Sequence, residues 1–336
     1  MARKKNSRQW ARLRILCSAG LELMTVAQDA FLLVRELIPN TSSHLALRAE
    51  PGSKTGRPVP AAAPHAEQDA VLLNVVPPPQ AYYFSDHADA PSAIHRGSPQ
   101  SITAPLESGG LHYGDITLYR DQADPFEEAD EEDLRRVANY FVHTLVNAGE
   151  LEGGANGIVE DEAMLLATGD GQILYLSDAA GALLDQLAVQ ERQRFDRRTL
   201  PPFCMRLAES IVHGDRYPWL LPLGRLPMPG GVLEARAQWM SAAGAPRPVS
   251  PQAADQTVGV FMKFVVPLPL RIWRALGSVE LSPQQAEVAF WMGVGGSREA
   301  ARARVDVSEA VMRDCVKAVY EKFGCSSEAG LLEQLR

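Results

Sequence analysis

Cysteine is scarce in this chain: Cys17, Cys204, Cys315 and Cys325 are the only four among 336 residues. None forms a CxxC pair and none has a histidine at zinc-finger spacing, so a disulfide framework and a structural zinc site are both disfavoured. Long hydrophobic runs are missing too. No stretch approaches the ~18–20 consecutive apolar residues of a membrane-spanning helix. The basic start MARKKNSRQWARLR is followed by an apolar stretch, Ile15 to Val34, that Glu22 and Asp29 interrupt. A secretory core should be unbroken, and Cys17 lacks the small preceding residue of a lipoprotein cleavage site, so a cytoplasmic location is expected. Positive charge is not in excess. The net charge is −8, so the molecule as a whole does not attract nucleic acid, and any DNA contact must come from a local patch.

Chemistry-bearing motifs are equally thin. The histidines at 44, 65, 87, 95, 112, 143 and 213 are dispersed, with no HExxH or H-x-E pattern. Gly293 to Gly296 lacks the Lys and Ser/Thr of a phosphate loop, and no nucleophile elbow appears. The acidic run from Asp121 to Asp133 lacks the spaced ligands and Gly of a calcium loop and reads as a solvated loop and helix cap. No enzyme, cofactor or metal centre is expected.

What is present is ordinary globular material, 46% apolar and 22% charged, enough for two or three domains. Trp10, Leu13, Leu16, Leu21, Leu23, Ala27, Phe31, Val34 and Leu37 recur near a 3.6 period, so residues 8–38 read as one amphipathic helix ended by Ile38-Pro39-Asn40. Residues 49–66 read as a loop, and Leu72 to Val76 as a short apolar run stopped by Pro77-Pro78-Pro79. Ser101–Leu106 and Leu111–Tyr119 read as a hairpin through Ser108-Gly109-Gly110. Leu134 to Leu145 is a second amphipathic helix. Beyond a linker at 151–162, Ala163–Ala167 and Gln172–Leu176 flank an Asp-Gly turn. Ser177-Asp178 caps a helix through Leu187, Pro201–His213 is another, and Val232–Met240 and Thr257–Val266 are later strands.

The C-terminal pattern is sharper. Ser282-Pro283-Gln284-Gln285 has N-cap, N1 and N3 in capping-box order. Gly293-Val294-Gly295-Gly296 stops that helix. Ser297 caps a second over Arg298–Val305, and Ser308 a third running to Phe323 and Gly324. Ser326-Ser327-Glu328 starts a fourth. In the third helix Met312, Val316, Val319, Tyr320 and Phe323 share a core face, while Arg313 and Lys317 lie elsewhere. In a helix-turn-helix, Ser308 to Asp314 would lie closest to base edges.

The phrases LSPQQAEV, GVGGS and VDVSEAVMRDCVKAVYEKFGCSSEAGLLEQL resemble the DNA-binding domain of LuxR-type regulators, over Leu281 to Leu335. By that likeness Val311 and Arg313 would sit near bases and Ser308, Lys317 and Lys322 near phosphates, with Arg298 added to the contacting set. There are departures. Ala300-Ala301-Arg302 replaces a branched-then-small pair, so either Arg302 enters a tight crossing or the register slips by one. Glu321 stands where a base is common, Cys315 where His is frequent, and Phe290 where a charge is usual. Phe290 is therefore expected to pack against the sensor unit or a second subunit. Upstream, LCSAGLELMTVAQDAFLLVRELIP, LESGGLHYGDITLYR and PFEEADEEDLRRVANYFVHTL resemble a GAF domain, and GDGQILYLSDAAGALLD resembles a PAS domain.

These resemblances imply a multidomain α+β chain with antiparallel-sheet sensor domains, GAF-like over 1–150 and PAS-like over 163–270. An all-α four-helix helix-turn-helix domain follows over 275–336. The function implied is a sequence-specific, LuxR-type transcription regulator, dimeric, binding double-stranded DNA, with room for a small-molecule ligand in either sensor unit and no membrane partner. From Glu280 to Arg336 there are seven basic and nine acidic residues, a balance that opposes phosphate binding. It keeps open an alternative: an interaction protein with a degenerate helix-turn-helix that titrates other regulators.

Overall fold

The computed structural model of the chain describes residues 2–53, 81–85, 100–120, 125–147, 157–190, 196–212, 223–240 and 257–336. The apolar run at 72–76, its Pro-rich stop, most of the loop read at 49–66 and the first half of the linker read at 151–162 lie outside them.

The helix expected over 8–38 is two helices, α1 (Ala2–Cys17) and α2 (Leu23–Leu37). Gly20 separates them at φ 65°, a left-handed conformation that reverses the chain after a helix end at little steric cost to glycine. The apolar stripe survives the break: Leu13, Leu16, Phe31 and Val34 are all buried. After Pro39-Asn40 come β1 (Ser42–Ser53), β2 (Ala81–Ser85), β3 (Gln100–Ser108) and β4 (Leu111–Arg120), then α3 (Glu128–Val146). The four strands form one antiparallel sheet in the order β2-β1-β4-β3. The β3–β4 hairpin turns through Gly109-Gly110 as expected, with Thr103 opposite Thr117 and Ala104 opposite Ile116. Alternation sorts the two faces. Ile116 and Leu118 point into the core, while the Thr103 and Thr117 hydroxyls meet outside at 3.0 Å.

α1, α2 and α3 pack together beside this sheet, with Phe31 edge-on to Phe141 at 5.6 Å. Burying each such ring contributes ~1.5–3 kcal/mol. Arg120, only 7% exposed, stitches sheet to helix. Its Nε donates to the Pro39 carbonyl at 2.8 Å and its Nη1 reaches Asp130 Oδ2 at 3.1 Å, while its guanidinium lies over the Phe126 ring.

The second sheet is built from β5 (Ile158–Thr168), β6 (Ile173–Leu176), β7 (Leu223–Met228), β8 (Gly231–Met240) and β9 (Thr257–Val266). Helices α4 (Asp178–Gln190) and α5 (Pro202–Val212) lie between β6 and β7 in the chain. The order is β6-β5-β9-β8-β7, antiparallel throughout. Leu165, Leu226, Leu233, Val260 and Met262 face inward, with Leu184, Phe203 and Leu207 of α4 and α5 also buried. Ser177 caps α4, its Oγ accepting from Ala180 N at 3.2 Å. β5 starts at Ile158, so the end of the stretch read as linker is strand.

After β9 comes α6 (Leu268–Gly277), whose N-cap is Pro267. It leads into α7 (Pro283–Gly295), α8 (Arg298–Arg304), α9 (Glu309–Phe323) and α10 (Glu328–Leu335). These helices dock on α1 and α2. Arg8 Nη2 donates to the Val279 carbonyl at 2.8 Å and Trp273 Nε1 to the Arg12 carbonyl at 3.0 Å. Arg14 pairs with Glu287 at 2.6 Å, and Arg274 holds Asp29 through two bonds of 3.1 and 2.7 Å. One continuous apolar cluster joins Leu13, Leu165 and Val319. The fold is mixed α+β, with two antiparallel sheets and helices at the C-terminal end.

Candidate nucleic-acid interface

Four serines start the last four helices. Ser282 Oγ accepts from Gln285 N at 3.3 Å while Gln285 Oε1 accepts from Ser282 N at 3.0 Å, the reciprocal pair the spacing calls for. Ser297 Oγ accepts from Ala300 N at 3.0 Å, Ser308 Oγ from Val311 N at 3.4 Å, and Ser327 Oγ from Gly330 N at 3.2 Å. A cap of this kind stabilises a helix by ~1 kcal/mol and fixes where it begins. Gly296, at φ 72°, turns the chain from α7 into α8.

The α7–α8 contact is close. A Cβ on Gly295 would lie 2.3 Å from the Ala300 Cβ. Ala301 is fully buried, whereas Arg302 is exposed. The register question at Ala300-Ala301-Arg302 is thereby answered: the alanines take the crossing and the arginine points out. Trp291 is 8% exposed, with the Arg304 guanidinium 5.2 Å from its ring. Phe290 is completely buried and meets Trp291 edge-on at 5.0 Å. No second subunit is needed to cover it.

α9 divides cleanly. Met312, Cys315, Val316 and Val319 are buried. Burial, reinforced by the neighbouring Asp314 carboxylate, holds the Cys315 thiol above its usual range, so Cys315 packs as a neutral group. On the other side Ser308, Glu309, Ala310, Val311, Arg313, Asp314 and Lys317 are all exposed. The leading turn of α9 is therefore uncovered by the rest of the chain. It presents the short or apolar side chains of Ser308, Ala310 and Val311, the carboxylates of Glu309 and Asp314, a cation at 313, and a second cation four residues on, on the same side as the first.

Of the six residues singled out in the sequence, Ser308, Val311, Arg313 and Lys317 are all exposed on the first half of α9, with Arg313 and Lys317 on one side and Val311 towards the other. Lys322 lies on the last turn, ~20 Å along the helix from Ser308 at 1.5 Å per residue. Its Nζ donates to the Glu280 carbonyl and, at 3.3 Å, to Gln285 Oε1. It ties α9 to the start of α7 instead of joining the leading turn. Arg298 is half-buried at the start of α8, its backbone N–H bonded to Glu328 Oε2 at 3.3 Å. Arg302, like Arg304, is an exposed cation of α8 that sequence reasoning left unassigned. Only the close pairing of Gly295 with Ala300 decides its direction, and that pairing is not written in helical spacing alone.

No family model matches the chain, and no curated protein does. Among solved structures it is similar to the sensor region of a sensor histidine kinase, at 12% identity and a TM-score of 0.21, covering 71% of this chain and 89% of that one. It is also similar to the periplasmic sensory domain of the Campylobacter jejuni chemoreceptor Tlp1, at 10% identity and a TM-score of 0.18, covering 78% of this chain and 90% of that one. Superpositions this loose carry no functional argument. Among the described residues no helix is long and apolar enough to cross a membrane.

Proposed function

We propose that the chain is a sequence-specific DNA-binding transcription regulator of the LuxR type, reading the major groove with the leading turn of α9. The observation that carries this reading is the exposure of Ser308 to Val311, Arg313 and Lys317 on a helix whose opposite face is buried. A recognition helix must offer its N-terminal residues to base edges while its back holds the domain together. Val311 offers a methyl contact, Arg313 a bidentate donor for guanine, and Lys317 a phosphate contact. Arg302 can add a second phosphate contact from the flanking helix. The sheet units upstream serve as GAF- and PAS-like sensors. They connect to the reading head through Arg8, Arg12, Arg14 and the Asp29–Arg274 pair. A ligand acts there by its different affinity for the arrangements that do and do not admit DNA.

Selection of the full chain against randomised duplexes tests this. A consensus sequence is expected. Arg313→Ala should weaken it by ~1–3 kcal/mol and relax one position, whereas Lys317→Ala should weaken all duplexes alike and lower the salt slope by ~1. No enrichment at low salt would contradict the reading.

A second reading is favoured by the acidic balance of residues 280–336, nine acids against seven bases. In it the chain titrates another regulator through its helices and its sensor units together, and binds no DNA. The Arg313→Ala/Lys317→Ala double variant separates the two: under this second reading it keeps full function.

A further inference from the structure

The outer face of the second sheet, the side away from α4 and α5, carries an ordered row of charges. Arg225 on β7 pairs in register with Glu234 on β8, Glu234 with Lys263 on β9, and Lys263 with Glu162 on β5. Across four neighbouring strands the signs read plus, minus, plus, minus. The next row along the strands is Leu223, Arg236, Phe261 and Met164, again directly paired. A shallow groove of about 320 Å³ is lined by both rows. Met164, Leu223 and Met240 are each more than a third exposed and Tyr175 is 72% exposed. Apolar side chains concentrated on one open face mark an interaction surface.

The sign pattern says what covers it. A row that reads plus, minus, plus, minus becomes its own complement when reversed. A two-fold axis parallel to the strands, passing between β8 and β9, performs that reversal. It sets Arg225 against Glu162 of a second copy and Glu234 against Lys263, twice each. The same axis sets Leu223 against Met164 and Arg236 against Phe261 of the second copy, repeating across the interface the cation–ring contact already present within one chain at 5.3 Å. An axis along the row instead would oppose like charges. Such self-complementarity is what an isologous dimer requires, and opposed signs fix its register. Each charge also keeps its in-chain partner, Lys263–Glu162 at 2.8 Å and Arg225–Glu234 at 3.6 Å. The Glu162 carboxyl is held below its ordinary range by the Lys263 ammonium.

From this juxtaposition we infer that the chain forms a two-fold homodimer through the outer face of its second sheet, with the Arg225-Glu234-Lys263-Glu162 row of one copy lying antiparallel on that of the other. The inference deepens the dimeric part of the regulator reading. It is measured without DNA, so its failure leaves the DNA-contact reading standing, and the reverse holds too.

Sedimentation equilibrium of the full chain tests it, with far-UV circular dichroism and Tm confirming that each variant is folded. Wild type should sediment as a dimer. R225E/K263E makes the row wholly acidic and should raise the dissociation constant ~tenfold or more. Reversing all four charges, R225E/E234R/K263E/E162K, restores an alternating row and its in-chain pairs. That variant should dimerise with itself and fail to exchange subunits with wild type. A monomeric wild type at ~50 µM, well above the dissociation constants of specific dimers, would overturn the inference. So would an R225E/K263E variant with unchanged association, or free mixing of the reversed variant with wild type.

Discussion

At the scale of single residues, polar and ionisable groups act mainly as joints. Arg120 links sheet to α3, Asp29 and Arg274 link α2 to α6, and Arg8 and Arg14 fasten the C-terminal helices to α1. The basic start thus supplies structural arginines from residue 8 onward. Cys17 is a buried thiol whose role is packing. Burial drives its pKa up to about 12, and the Thr144 hydroxyl beside it only partly opposes that shift. The folded chain then keeps a proton that the unfolded chain releases above the ordinary thiol value near ~8.5. Because the folded state binds more protons there, stability falls as pH rises. Below that ordinary value the contribution of Cys17 is fully present. From there toward 12 it is lost at up to ~1.4 kcal/mol per pH unit. Urea titrations between pH 7.5 and 10 should show the decline, and Cys17→Ala should flatten it. An identical slope in both proteins would assign the decline to other groups.

At the scale of elements, the C-terminal helices begin and end where their sequence signals place them. Ser282, Ser297 and Ser308 cap as their spacing demands, because a cap is chemistry between residues three apart. The same locality explains the failures. The apolar period runs through residues 18–22 without a change of phase, so only the left-handed Gly20 reveals two helices. β1 carries Pro51 and Gly52, and β7 carries Arg225 and Pro227; neither alternates as a half-buried strand should, and pairing with distant strands decides both. The contact at Ala301 was open for the same reason. It makes a prediction at this scale: Gly295→Ala forces a methyl against Ala300, which lies 2.3 Å from the added Cβ. Overpacking of this kind costs ~1–3 kcal/mol. A lowered Tm and weakened duplex binding should appear together, since α8 positions α9. Unchanged Tm would mean that the helices separate freely at this point.

At the scale of the whole molecule, a chain of net charge −8 cannot rely on its overall field to find DNA. To read DNA as proposed it would have to present a local patch, and the pairing of two copies through the second sheet would double that patch and set a half-site spacing. The exposed side of α9 was legible because it is a short run on one helix. The bonds that hold Lys322 were not legible, because its partners, Glu280 and Gln285, lie more than thirty residues away in sequence. The central claim is that the first turn of α9 meets the duplex. Photocrosslinking from a benzophenone side chain at position 311, in the full chain with a selected duplex, tests it most directly. The expected result is a protein–DNA adduct from position 311 and none from position 175 on the outer sheet face. DNA captured from 175 but not from 311 would contradict it.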